Sequence, residues 1–305
     1  MDPFNGVRMN NNKKNFSVPL TVPKKSQTTF EENYLKATQN SSNLFLFAAD
    51  QKIEHLNQDF YGPHISPSCN DPRSLFEIAS KSRIGAFATH LGLIARYGEE
   101  YSKVNYVIKL NGKTNIVSTP QTDPISSFII TPEDAIEFKN ESNLNIVGLG
   151  YTIYLGSEFE GQMLREASKT ILTAHKHGLI SIIWIYPRGQ AIKNERDANL
   201  LAGAAGVGAA LGADFIKINP PIAEASQKSA ELLQQATTAA GKSKVICSGG
   251  ILKDESLFLQ ELSDQIKIGK TFGCATGRNI FQKDIPSAIK FCNSIASIVI
   301  DGKYL

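Results

Sequence analysis

Apolar residues in this chain come in short runs at regular intervals, each followed by a loop and then by a stretch of helical periodicity. The runs fall at 43–49 (NLFLFAA), 85–90 (GAFATH), 105–110 (NYVIKL) and 146–153 (IVGLGYTI), then at 181–186 (SIIWIY), 215–219 (FIKIN), 244–248 (KVICS) and 271–276 (TFGCAT). Each has the length of a strand and is nearly continuous in apolar residues, as strands covered on both faces are. Helical patterns lie at 72–82, 92–102, 132–141, 158–177, 197–211, 223–240, 254–265 and 284–299. Eight strand–helix units in succession predict an α/β protein, a single (β/α)8 TIM barrel. The rival is a doubly wound open sheet. That fold normally has fewer strands and often a glycine-rich turn after the first, where this chain has DQKIEHL.

Punctuation supports the register. Thr131 followed by Pro132, Glu133 and Asp134 supplies a cap residue, a proline at the first helical position and early acidic side chains. Gly178, after His175, Lys176 and His177, reads as a helix stop behind a basic last turn. Residues 1–30, Asn-rich and carrying Pro19 and Pro23, read as a flexible polar arm, with the barrel domain spanning 31–305.

At 305 residues, 42% hydrophobic and 20% charged, the chain is neither disordered nor a small disulfide scaffold. A formal charge of +3 and no clustered basic face give no reason to expect a nucleic-acid partner. No apolar run approaches the roughly 18 residues of a membrane span, and no secretory signal follows Lys13 and Lys14. Cys69, Cys247, Cys274 and Cys292 are scattered without zinc spacing and read as reduced thiols of a cytoplasmic protein.

A barrel builds its active site at the C-terminal ends of its strands. On the sixth strand, placing Ile216 and Ile218 against the outer helices turns Lys217 into the interior. A buried lysine is costly unless paired or neutral, and a neutral amine can form a Schiff base with a ketone. The plain alternative is a salt-bridged core lysine. On the fifth strand, Trp184 and Tyr186 share the inward face, with Ile183 and Ile185 outward. Tyr186 is a candidate general acid/base, and Trp184 reads as packing against substrate or core. Asp50 ends the first strand, either as a helix cap or partner for Lys52, or as a group for sugar hydroxyls and the iminium charge. Lys109 is a second inward lysine, either a competing nucleophile or a cation that lowers the pKa of its neighbour.

The seventh and eighth strands end in Ser248-Gly249-Gly250 and Gly277-Arg278-Asn279. Glycine-freed backbone N–H groups at these two ends form the usual phosphate site of a barrel, and Arg278 adds a bidentate donor. Metal ligation is a poor fit, since His175 and His177 are two apart on a helix and at the wrong end of the barrel. His55, His64 and His90 follow the first two strands without matching carboxylates and read as solvent-side or orienting groups.

Together these strand ends, in FAADQKIEH, KLNG, YTIYLGSE, WIYPRG, LGADFIKIN, SGG and TGRNIF, resemble the archaeal-type (DhnA-like) class I fructose-bisphosphate aldolases over roughly residues 43–300. The resemblance implies a lyase that cleaves fructose 1,6-bisphosphate through a Schiff base, in glycolysis or gluconeogenesis, with no cofactor and no metal. It assigns the Schiff-base lysine to Lys217, the acid/base tyrosine to Tyr186 and the first-strand carboxylate to Asp50. It places Trp184, Ser248, Gly249, Gly250, Gly277 and Arg278 at the substrate, and implies a homo-oligomer. Lys52 and Leu56 depart from glycines that family members often carry, and the polar insert 57–72 is also unlike compact members. Related barrels that share the lysine run transaldol or thiolase reactions, and a non-catalytic sugar-phosphate binder is a further alternative.

Overall fold

A computed structural model describes residues 16–54, 57–114, 116, 123–223 and 228–305. Eight parallel strands close into a barrel: β1 (Leu44–Ala48), β2 (Ala86–His90), β3 (Tyr106–Lys109), β6 (Ile146–Leu155), β7 (Ile180–Pro187), β8 (Phe215–Ile218), β9 (Lys244–Ser248) and β10 (Gly273–Thr276). Closure comes from β1 pairing with β10, Leu44 opposite Gly273. A two-stranded antiparallel ribbon, β4 (Asn111–Gly112) and β5 (Ser127–Phe128), stands between β3 and β6. The open sheet is thereby excluded, and the single TIM barrel stands.

Two cores follow from side-chain alternation. Phe215, Trp184, Ile182, Ile246, Val107, Val147, Leu46 and their partners fill the barrel interior. Ile216, Ile218, Ile183, Ile185, Tyr106 and Ile108 face the outer helices. Those helices are α3 (Arg73–Lys81), α4 (Leu91–Tyr97), α5 (Pro132–Ser142), α6 (Glu160–Lys176), α7 (Ala198–Leu211), α8 (Ser229–Ala239), α9 (Glu255–Lys267) and α11 (Ile285–Val299). The expected cap at α5 is made, and as a full capping box, Thr131 accepting from the Asp134 N–H and the Asp134 carboxylate accepting from the Thr131 N–H. Gly178 stops α6 at φ +67°, and a Cβ there would meet the Ser26 carbonyl at 2.9 Å.

The segment expected as a flexible arm up to residue 30 is ordered over its described part. Residues 16–26 lead into α1 (Gln27–Thr38), and Val22, Phe30, Tyr34 and Ala37 plug the N-terminal end of the barrel. Tyr34 stacks on Phe215 at 5.5 Å and on Phe16 at 4.0 Å. Residues 1–15 lie outside the described residues. The helical unit begins four residues before the expected boundary at 31 because Phe30, Tyr34 and Ala37 form one apolar stripe.

Candidate active site

Side chains of the inward parity meet at the C-terminal ends of the strands. Lys217 lies on β8, 7% exposed, with its ammonium 5.3 Å from the Trp184 ring centroid. Among the described residues nothing hydrogen-bonds its amine. Burial is the main cause that pushes its pKa down, to about 8; Asp50 and Glu54 oppose the shift, while Lys109 and Arg278 add to it. The fully buried Lys109 lies over the same indole, at 5.2 Å. It donates to Glu54 Oε1 at 2.8 Å and to the Asn111 carbonyl at 3.2 Å, and lies 3.5 Å from Asp50 Oδ2. Of the two inward lysines, one is tied into carboxylates and the other is left to a ligand.

Trp184 has room beside them because β6 offers a glycine there. A Cβ on Gly150 would lie 2.6 Å from the indole. Tyr186, next on the inward face of β7, is pushed well above the usual phenol range, chiefly by burial and then by Asp50 and Glu54; Arg188 and Arg278 pull the other way. It is therefore a neutral proton donor in the free protein. Its ring stacks beside Tyr154 at 6.4 Å.

Three groups escape a reading of the strands alone. Glu54, on the short helix α2 (Gln51–Glu54), bridges Lys109 and the Tyr154 hydroxyl, which donates to Glu54 Oε2 at 3.4 Å. Tyr154 lies one residue beyond the expected end of the fourth strand, and its inward parity follows from the longer β6. His90 closes β2 and is buried, so the solvent-side reading does not hold for it. His64 is exposed, and His55 lies outside the described residues, as do Leu56 and the Lys52 side chain.

The loops after β9 and β10 stand side by side. Gly249 must be glycine, since a Cβ would be 2.9 Å from Thr276, and Gly250 has φ +70°. Asn279 holds the loop open: its amide donates to the carbonyls of Gly249 and Ile251 at 3.0 and 2.9 Å and accepts from the Lys253 N–H. Ser248 donates to Asn219 at 2.6 Å. Gly277 precedes the short helix α10 (Arg278–Phe281). Ser248, Gly249, Gly250, Arg196, Lys253 and Arg278 border a cavity of about 280 Å3. Arg278 is 3.6 Å from Asp59 of the 57–72 insert. That insert packs on the barrel through Phe60, which stacks on Phe281 at 4.8 Å.

His175, far from this mouth, is bound to Asp214 and Thr21. Among the described residues, no group of three His, Cys, Asp or Glu side chains is placed to hold a metal ion, and no helix is long and apolar enough to cross a membrane. The four cysteines are buried and unpaired with one another.

Known proteins resemble this chain over most of its length. A fructose-bisphosphate aldolase/6-deoxy-5-ketofructose 1-phosphate synthase of Methanocaldococcus jannaschii is 50% identical over 293 residues, 96% of this chain and 93% of that protein. A solved fructose-bisphosphate aldolase of Slackia heliotrinireducens superposes with a TM-score of 0.92 at 47% identity, over 94% of this chain and 91% of the other. An archaeal fructose-1,6-bisphosphate aldolase, solved with its catalytic lysine bound covalently to the carbinolamine intermediate, superposes at 0.74 with 28% identity, over 89% and 99%. Residues 44–283 match the profile of the DeoC/LacD family aldolases, and the chain belongs to that family.

Proposed function

We propose that the protein is a class I fructose-bisphosphate aldolase, and that Lys217 is its Schiff-base residue. One observation carries the reading: a buried inward lysine with an amine near pKa 8 and no hydrogen-bonding partner among the described residues, on a strand paired with the one that carries Tyr186 and the one that ends in Ser248–Gly250. The phosphate on C1 sits at Ser248–Gly250 and Gly277–Arg278, which brings the C2 ketone to Lys217. The amine adds to C2, and loss of water leaves an iminium. Removal of the C4 hydroxyl proton then breaks the C3–C4 bond, its electrons flow into the iminium, and glyceraldehyde 3-phosphate departs. The enamine takes a proton at C3, and water releases dihydroxyacetone phosphate.

Tyr186 carries both proton transfers. The iminium charge that forms beside it lowers its proton affinity, and Asp50 opposes that change while stabilising the cation. Lys109, locked to Glu54, keeps the nucleophile's pKa down. The chemistry needs no metal and no cofactor. Reversible cleavage of this sugar serves glycolysis and gluconeogenesis, and the setting implied is a cytoplasmic homo-oligomer.

A second reading draws on the dual name of the 50% identical relative. Subtracting dihydroxyacetone phosphate from a 6-deoxy-5-ketofructose 1-phosphate leaves 2-oxopropanal, so the same enamine adding to that aldehyde is a sister reaction of one site. Borohydride with dihydroxyacetone phosphate, followed by peptide mass mapping, tests the shared step: the reduced adduct belongs on Lys217, and labelling of Lys109 instead overturns the assignment. Cleavage of fructose 1,6-bisphosphate, unaffected by chelator, separates the aldolase from a binding protein.

A further inference from the structure

The ring order of the barrel is β1-β10-β9-β8-β7-β6-β3-β2, so β2 lies four strands from β8 in either direction. The last residue of β2 thus faces Lys217 across the mouth. That residue is His90. Ala86 and Ala88 of the same strand belong to the interior core, which gives His90 the inward parity. It pairs in register with Lys109 on β3. The side chain is 8% exposed, and its Nε2 is fully buried with no hydrogen-bonding partner among the described residues. Gly112 of the β4–β5 ribbon covers it so closely that a Cβ there would approach Cε1 to 3.3 Å.

A buried ring nitrogen without a partner is costly, and burial leaves this ring neutral against the pull of two carboxylates. Burial is the main cause that lowers the imidazole to about pKa 4; Lys109 adds to the shift, Asp50 and Glu54 oppose it, and a backbone hydrogen bond with Lys109 also favours a proton on the ring. With Nε2 bare, that backbone bond falls to Nδ1. The neutral ring then carries its proton on Nδ1 and presents Nε2 as an acceptor.

We propose that His90 is a specificity residue for the aldehyde half of the substrate, its Nε2 accepting a hydrogen bond from the hydroxyl on C5 of the ketose. This rests on the aldolase reading above. With C1 phosphate at the β9 and β10 loops and C2 on β8, the chain of the sugar beyond C3 extends away from those three strands and toward β1, β2 and β3. Fructose 1,6-bisphosphate offers a donor at C5, whereas 2-oxopropanal puts a carbonyl, an acceptor, at the matching position. Two acceptors face to face repel, so His90 favours the hydroxylated aldehyde.

The test compares His90→Asn, which keeps a donor near the Lys109 backbone but has no distal acceptor, with His90→Gln, whose amide oxygen reaches the Nε2 position. Three reactions are measured: cleavage of fructose 1,6-bisphosphate, addition of dihydroxyacetone phosphate to 2-oxopropanal, and solvent exchange of the C3 proton of dihydroxyacetone phosphate alone. The expected result for His90→Asn is a kcat/KM ratio of cleavage to 2-oxopropanal addition about tenfold lower than wild type, with the ratio restored by His90→Gln. The exchange reaction, which needs no aldehyde half, reports that the folded site still forms the enamine. Equal loss in all three reactions, or an unchanged ratio in His90→Asn, overturns the proposal. Failure of the wild type to cleave the bisphosphate at all, with exchange intact, overturns the aldolase reading instead.

Discussion

Two lysines of this barrel are pushed to about pKa 8, at opposite ends. Lys217 lies at the mouth and Lys244 at the floor, and burial is the main cause for both. Their surroundings differ. Lys244 donates to the Ser42 carbonyl at 2.9 Å and lies over the rings of Phe272 and Tyr34, at 4.6 and 5.4 Å. Close by, Asp214 accepts from the Ser181 N–H and hydroxyl and pairs with His175, whose other nitrogen meets Thr21 at 2.6 Å, while the Tyr34 hydroxyl is buried without a hydrogen-bonding partner among the described residues. At the mouth, the amine of Lys217 has no such partner, and the nitrogens of Trp184 and His90 are buried without one. A shifted pKa marks burial. What singles out Lys217 is a shifted amine left without a hydrogen bond at the C-terminal strand ends, where a barrel keeps its chemistry.

The sharpest way to break this contrast is Lys217→Ala, which should reduce cleavage below detection and abolish borohydride trapping. A trapped adduct on Lys244 in that variant would mean that the floor is as reactive as the mouth. Tyr186→Phe should lose about 10²–10⁴-fold in turnover while still forming a trappable imine, read by mass. Near-normal turnover would make Tyr186 a packing residue. Lys109→Met removes a cation beside Lys217 and leaves Glu54 and Asp50 to raise its pKa. The pH midpoint for imine formation should therefore move above about 8, at a stability cost on the order of 3–5 kcal/mol for the broken buried pair.

His90 gives the mouth a pH signature. Its folded pKa, about 4, lies below the ordinary 6.5, so between those values the unfolded chain binds a proton that the folded one does not. Stability is complete above pH 6.5 and declines as the pH falls toward 4, by up to about 3 kcal/mol. Denaturant titrations should show that component missing in His90→Gln, although Lys109, Asp50 and Glu54 still face the site. The smallest effect belongs to the floor. His175→Gln should cost about 1–3 kcal/mol in denaturation and leave kcat/KM unchanged within error.

Much of the mouth was legible because strand parity is a local property. Ile216 and Ile218 outward put Lys217 inward, and the same rule places Trp184, Tyr186 and Lys109. Strand length is less local. Ending the fourth strand at 153 hid Tyr154, which β6 carries inward because it runs to Leu155. Glu54 lies past the end of β1 on a helical turn, where period-two reasoning has no purchase. Arg278 was readable as a cation at a phosphate loop, but its contact with Asp59 spans more than 200 residues. The stripe of Phe30, Tyr34 and Ala37 in α1 was present in the sequence and hidden by the Asn-rich, low-complexity stretch before it.

The indole that both inward lysines approach is the only tryptophan in the chain. All indole emission of the protein thus arises from one buried ring about 5 Å from both ammonium groups. Turning the Lys217 amine into an iminium changes the charge distribution against that ring without any label being added. Stopped-flow fluorescence, excited at the red edge of the absorption to avoid the tyrosines, would follow imine formation and loss within single turnovers, and would separate that step from carbon–carbon cleavage in any of the variants above.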